Sequence, residues 1–208
     1  MKEKIKVYFK QNPKLKQFVL DLWVHPYSAR TRWWARTFVY PFIIKRGKGS
    51  IIRRTARLDL NPSNLLTLGN KAIIEDNAIL NNGIGDIIIG NNSVVEQNAL
   101  LVGPICIGDN VIIGKGGFVA GITHDYYDIS IPIIKQKVSP SVTNIADDVW
   151  IGGNCVVLQG IKIGTHSLVG SGSVVTKDVE SYTIVAGNPA RPIQKYDFEL
   201  KEWVKVKK

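Results

Sequence analysis

Apolar and polar positions alternate with a fixed period of six along residues 145–180. Cut at that interval, the stretch reads IADDVW, IGGNCV, VLQGIK, IGTHSL, VGSGSV, VTKDVE. The first position is always aliphatic: Ile145, Ile151, Val157, Ile163, Val169 and Val175. The fifth is small or β-branched, and the third and fourth are rich in Gly, Asn and Asp. A period of six fits neither the 3.6 of an α-helix nor the alternation of a hairpin meander. It fits a coil in which each unit makes one short strand and one bend, the first residue pointing inward and the fifth packing beside it. Stacked coils then satisfy their backbones by strand hydrogen bonds, at ~4.8 Å per layer.

The same frame starts at Leu68, slips by three residues at 86–88, resumes at Ile89 and breaks after His124. Residues 125–144 contain Pro132 and Pro140 and lack the frame, so they read as an excursion loop. Three, six and six units make fifteen in all, or about five three-sided coils. The fold class is an all-β solenoid divided into three parts: a basic helical and aromatic segment over 1–64, the repeat over 65–180 and a cap over 181–208. In the first part Ile5, Tyr8 and Phe9, then Leu15, Val19 and Leu22, recur near helical spacing, with Pro13 starting a second helix. Its aromatics suit a cover for the open end of the solenoid, a protein contact or a membrane interface. They would also suit single-stranded nucleic acid, but no nucleic-acid module accompanies them. Gly187 and Pro189 mark a turn, after which a short C-terminal helix is expected.

Charge sharpens this division. Of the net +10, residues 1–57 carry +13, residues 58–190 carry −6 and residues 191–208 carry +3. An acidic prism therefore follows a strongly basic leader, which could meet anionic headgroups, a phosphorylated ligand or simply solvent. Cys106 and Cys155 both lie inside the repeat, without the spacing of a disulfide framework. No signal-peptide pattern opens the chain, so a cytoplasmic protein is expected, at the inner face of the membrane if the basic leader binds lipid.

Three groups of residues resemble those of the hexapeptide-repeat acyltransferases. They are Val149-Trp150-Ile151-Gly152-Gly153 with Gly160-Ile161-Lys162-Ile163-Gly164, then Gly172-Ser173-Val174-Val175-Thr176-Lys177-Asp178, and Ala186-Gly187-Asn188-Pro189-Ala190. Within that family the chain is similar to the bacterial sugar O-acetyltransferases, the galactoside, maltose and nodulation enzymes among them, over roughly residues 65–194. The resemblance implies a left-handed parallel β-helix, although right-handed crossovers are the general rule. It also implies a homotrimer with sites between subunits and acetyl-CoA as donor, with no metal.

His124 closes its repeat unit at the root of the excursion loop. The resemblance makes it the general base that takes the acceptor's proton. Asp125 or a backbone carbonyl could fix its tautomer. By resemblance Gly153 faces the thioester, where a backbone N–H would meet the oxyanion; as a residue alone it is also an ordinary turn glycine. Trp150 points outward, toward acceptor, pantetheine or a neighbouring subunit. Ser171, Thr176 and Lys177 match positions on the CoA groove, and Arg191 matches a contact to the adenosine 3′-phosphate. Three residues on, where relatives are often basic, stands Gln194, followed by Lys195. Asn98 is a candidate acceptor contact or a corner residue only. His25, His124 and His166 lack the spacing of the zinc site of the related γ-class carbonic anhydrases. Cys155 reads as core and Cys106 as outward.

Two functions compete for this site: O-acetylation of a saccharide hydroxyl and N-acetylation of an amino-sugar nucleotide. A non-catalytic scaffold is the third reading.

Overall fold

The computed structural model describes residues 11–23 and 31–206. The leading positions of the expected helical pattern, Ile5, Tyr8 and Phe9, and His25 fall outside them. The repeat winds into a parallel β-solenoid of six turns with three sheets. The first sheet stacks β1 (Ile44–Arg46), β4 (Leu66–Leu68), β7 (Ile87–Ile89), β10 (Ile105–Ile107), β15 (Thr143–Ile145) and β18 (Lys162–Ile163). The second contains β2 (Ile51–Ile52), β5 (Ile73–Ile74), β8 (Val94–Val95), β11 (Ile112–Ile113), β16 (Trp150–Ile151) and β19 (Leu168–Val169). The third contains β3 (Arg57–Asp59), β6 (Ile79–Asn81), β9 (Leu100–Val102), β12 (Phe118–Ala120), β17 (Val156–Val157) and β20 (Val174–Val175). This is the parallel β-helix expected from the period of six.

Like residues stack over like. Leu68, Ile89, Ile107, Ile145 and Ile163 form one inward column, and each is buried. Small fifth positions fit beside them: Ala72, Ala78, Ala99, Cys155 and Ser173 are all buried. Buried Ser93 donates to the Gly108 carbonyl at 2.8 Å and accepts from the Val111 N–H at 2.9 Å, so its hydroxyl is satisfied. The Asn and Asp positions bind successive turns along the corner between the first and second sheets. The side-chain oxygens of Asn70, Asn91, Asp109 and Asp147 accept from the backbone N–H of Lys48, Asn70, Asn91 and Asp109, at 2.6 to 2.8 Å. Each such bond adds about 1 kcal/mol net. The side-chain and backbone donors of Asn91 hold the Asp109 carboxyl below the usual carboxylate range.

Two boundaries differ from the sequence reading. The solenoid has six turns rather than five, because residues 44–59 form a turn inside the segment read as a cap. Arg46 occupies the column that Leu68 and its successors fill, which removed the aliphatic signal. On the terminal turn it stays exposed and reaches back to the Ser50 carbonyl at 2.5 Å. At the other end the expected C-terminal helix is absent among the described residues. β21 (Thr183–Gly187) joins the second sheet in parallel, then pairs antiparallel with β22 (Ala190–Asp197), which pairs with β23 (Glu202–Lys205).

The N-terminal helices cover the open end, as expected. They are α1 (Pro13–Trp23), α2 (Trp33–Phe38) and α3 (Tyr40–Ile43). Trp23, Ala35, Tyr40 and Ile43 are buried in the core cluster. The Trp23 indole donates to the Leu60 carbonyl at 2.7 Å, and the Tyr40 hydroxyl to the Leu58 carbonyl at 2.6 Å.

The excursion is a hairpin. β13 (Ile122–His124) pairs antiparallel with β14 (Val138–Pro140), joined through a 3-10 turn at Ile133–Lys135. The Ser141 N–H meets the Gly121 carbonyl at 2.8 Å, so the chain leaves and rejoins the prism at one point. The tip is apolar and uncovered within the protomer: Tyr127, Ile129 and Ile134 are exposed, Ile129 fully.

Candidate active site

His124 ends β13, opposite Val138 on β14, and its imidazole is exposed. It stands where the hairpin departs, at the corner between the third and first sheets. Among the described residues nothing hydrogen-bonds its ring. The neighbouring Asp125 carboxylate is engaged instead by the Ser139 hydroxyl at 2.6 Å. That contact comes from the opposite hairpin strand and was invisible to local sequence. It leaves the His124 nitrogens open to solvent and to a substrate.

Gly153 and Ser171 lie at the other edge of the third sheet, on the corner that joins the second sheet to it. They occupy equivalent places on adjacent turns, as shown by Gly172 N–H donating to the Gly153 carbonyl at 2.9 Å. Among the described residues the N–H groups of Gly153 and Ser171 donate to no protein acceptor. Two open amide donors therefore point from one column, one turn apart, ~4.8 Å. The glycine that packing demands is Gly152: a Cβ there would stand 2.7 Å from the Ser171 nitrogen. At Gly153 a Cβ would meet only the Lys115 carbonyl, at 3.2 Å. The small side chain at 153 thus keeps the outer surface of the corner low.

Arg191 lies one residue to the side of this column, above Gly170. It pairs with Ala186 in the β21–β22 hairpin, and Ala186 sits over Gly170 with a would-be Cβ contact of 3.0 Å. Gly153, Ser171 and Arg191 accordingly climb one corner toward the C-terminal end. Gln194 pairs with Ile184 and Lys205. Lys195 is held by Glu180 at 2.6 Å, so it does not replace the missing basic residue. Thr176 and Lys177 are exposed on the other edge of the third sheet, on the His124 side. Asn98 belongs to the Gly153 corner with φ of 61°, in the left-handed conformation shared by Asn77 and Asn154 on the same corner. Its backbone explains why Asn stands there. One residue before it, the sequence reading passed over Gln97, whose buried Oε1 has no partner among the described residues. An amide in a turn carries no sequence signal that would have found it.

Trp150 lies outside the second sheet between Ile112 and Leu168, 53% exposed. It continues an outward apolar stripe that includes Ile51 and Ile112. His166 is at a different corner from His124, with Nδ1 against the Asp148 carboxylate. Cys155 is buried, its thiol pushed up by burial and its Sγ 3.1 Å from the Gly170 carbonyl, as a core residue should be. Cys106 is half-buried on the outer side of the first sheet.

The fold and repeat define a hexapeptide-repeat β-solenoid. Residues 143–177 match the family model described as bacterial transferase hexapeptide, six repeats. The chain is similar to chloramphenicol acetyltransferase of Klebsiella aerogenes, with 39% identity over 110 residues, which is 45% of this chain and 52% of that enzyme. It is also similar to 2,3,4,5-tetrahydropyridine-2,6-dicarboxylate N-acetyltransferase of Staphylococcus aureus, with 39% identity over 42% of this chain and 31% of that enzyme. The chain thus spans about half or less of the curated relatives it matches. These matches bear out the resemblance to hexapeptide-repeat acyltransferases. Among solved structures, AntD, an N-acyltransferase from Bacillus cereus in complex with dTDP and 3-hydroxybutyryl-CoA, shares the fold. Its TM-score is 0.65, at 24% identity over 76% of this chain and 86% of that one. A hexapeptide-repeat acetyltransferase of Vibrio cholerae aligns with TM-score 0.55 at 23% identity over 93% of both chains.

Proposed function

We propose that this chain is an acetyl-CoA-dependent acetyltransferase that acetylates a saccharide hydroxyl directly, with His124 as general base. The observation that carries this reading is the separation of an exposed imidazole from a column of open amides, on opposite edges of one sheet. A neighbouring protomer in a homotrimer would bring the two together. The uncovered hairpin tip and the outward stripe through Trp150 are surfaces suited to that contact. Residues 153, 171 and 191 rise over three strand layers, roughly 14 Å, which suits an extended pantetheine arm ending at a guanidinium that favours phosphate. Thr176, Lys177 and Trp150 line the remaining walls.

Chemically, the imidazole takes the hydroxyl proton as the oxygen bonds to the thioester carbon. The Gly153 N–H meets the negative oxygen of the tetrahedral intermediate. The C–S bond then breaks, and the proton passes to the leaving sulfur.

The curated relatives support acetyl transfer, and the N-acetyltransferase among them keeps amine acceptors as the second reading. Release of free thiol from acetyl-CoA separates the two, with saccharide alcohols turned over and amino-sugar nucleotides left unreacted.

Subunit sharing has its own test. His124→Ala and Gly153→Trp should each be inactive alone. Co-refolded as mixed trimers, they should regain about a quarter of the wild-type rate, because a closed ring places that fraction of sites between intact halves. Mixed trimers without activity would remove the shared site.

A further inference from the structure

The N-terminal helices do two things, and closing the solenoid explains only one. Ala35, Tyr40 and Ile43 face the core. On the opposite side of the same short helices, Trp33 is 73% exposed, Phe38 63% and Phe42 82%. On α1 the exposed Leu15, Phe18 and Leu22 recur at i, i+3 and i+7, which is one side of a helix. α1 and α2 are neighbours, with the Trp23 and Trp34 rings 5.8 Å apart. A folded protein gains nothing in water by presenting three large aromatic side chains beside a capped core.

Cations stand around them. Arg36, Lys45, Lys48 and Arg54 are exposed and form no ion pair among the described residues. Arg53 and Arg57 are held by Glu75 and Asp59 and are not available in the same way. The sequence carries +13 over residues 1–57 against −6 over 58–190, and ten of the fifteen Lys and Arg before residue 58 stand among the described residues, so an anionic partner suits this end. A soluble polyanion would use the cations and leave the Phe rings in water. A bilayer surface takes both, since aromatic rings settle at the headgroup boundary while Arg and Lys meet phosphate. Among the described residues no helix is long and apolar enough to cross a membrane, so the contact would lie on the surface.

We propose that the N-terminal end of the prism docks on an anionic phospholipid surface through Trp33, Phe38 and Phe42, with Arg36 and the cations of the first turn on the headgroups. The solenoid axis then stands away from the membrane, and the hairpin root at His124 is held about three turns above the first, roughly 14 Å. The inference is independent of acetyl transfer, because binding is read without any substrate.

Co-sedimentation of the full chain with vesicles tests it. Wild type should pellet with vesicles containing phosphatidylglycerol and remain in the supernatant with phosphatidylcholine alone. The double variant Phe38→Ser, Phe42→Ser should bind the anionic vesicles about tenfold more weakly or worse, since two rings lose their apolar burial. Arg36→Glu should weaken binding most at low salt. Both variants change exposed side chains, and an unchanged melting temperature shows that they fold. Wild type that stays in solution with phosphatidylglycerol, or variants that bind as well as wild type, would overturn the proposal. A smaller assembly mass for the double variant without lipid would assign the patch to a second copy of the chain and overturn it too.

Discussion

Replacing His124 with alanine should lower kcat for acetyl transfer by about 10²- to 10⁴-fold, the usual contribution of a positioned general base. The imidazole is exposed on a hairpin and takes part in no hydrogen bond among the described residues, so the variant should melt at the wild-type temperature. Affinity for acetyl-CoA should change little, because the open amides and Arg191 lie at the other edge of the sheet. Steady-state thiol release with a competent acceptor measures the rate, and calorimetry the binding. A variant with undiminished kcat would take the base away from this position. The hairpin would then be a subunit contact and no more.

The second large effect is on stability. Leu101 is fully buried on β9, stacked between Leu80 of the turn before and Val119 of the turn after. Leu101→Ala should cost about 3 kcal/mol, within the 2 to 5 kcal/mol range of such truncations, because stacked turns on both sides hinder collapse into the cavity. Denaturant unfolding with an unchanged m-value would register it. A loss under about 1 kcal/mol would mean that the column relaxes around the gap.

How much of this was legible depended on where the period of six held. Between Leu68 and Val175 the aliphatic column is nearly unbroken, so the strands and their inward faces followed from counting alone. The first turn was hidden by a single position, Arg46, tolerable because β1 is the edge strand of its sheet and the side chain stays exposed there. The C-terminal stretch has helix formers in Glu199, Leu200, Lys201 and Glu202, yet residues 202–205 form a strand. The free edge of β22 offered pairing partners, and tertiary contacts overrode propensity. In the candidate site, the corner positions of Gly153 and Ser171 were readable from register. The partner of Asp125 was not, since Ser139 meets it only once the hairpin closes. Nor did the sequence distinguish Gly152, which packing requires, from Gly153, which it does not.

The prism's two ends stop in different ways, and this fixes its length. The Leu58 and Leu60 carbonyls, which a further turn would use, are taken by the Tyr40 hydroxyl and the Trp23 indole. At the far end β22 runs against the direction of every turn beneath it. Head-to-tail polymerisation into filaments, the hazard of any stack of identical rungs with open edges, is thereby blocked by two aromatic side chains at one pole and a reversed strand at the other.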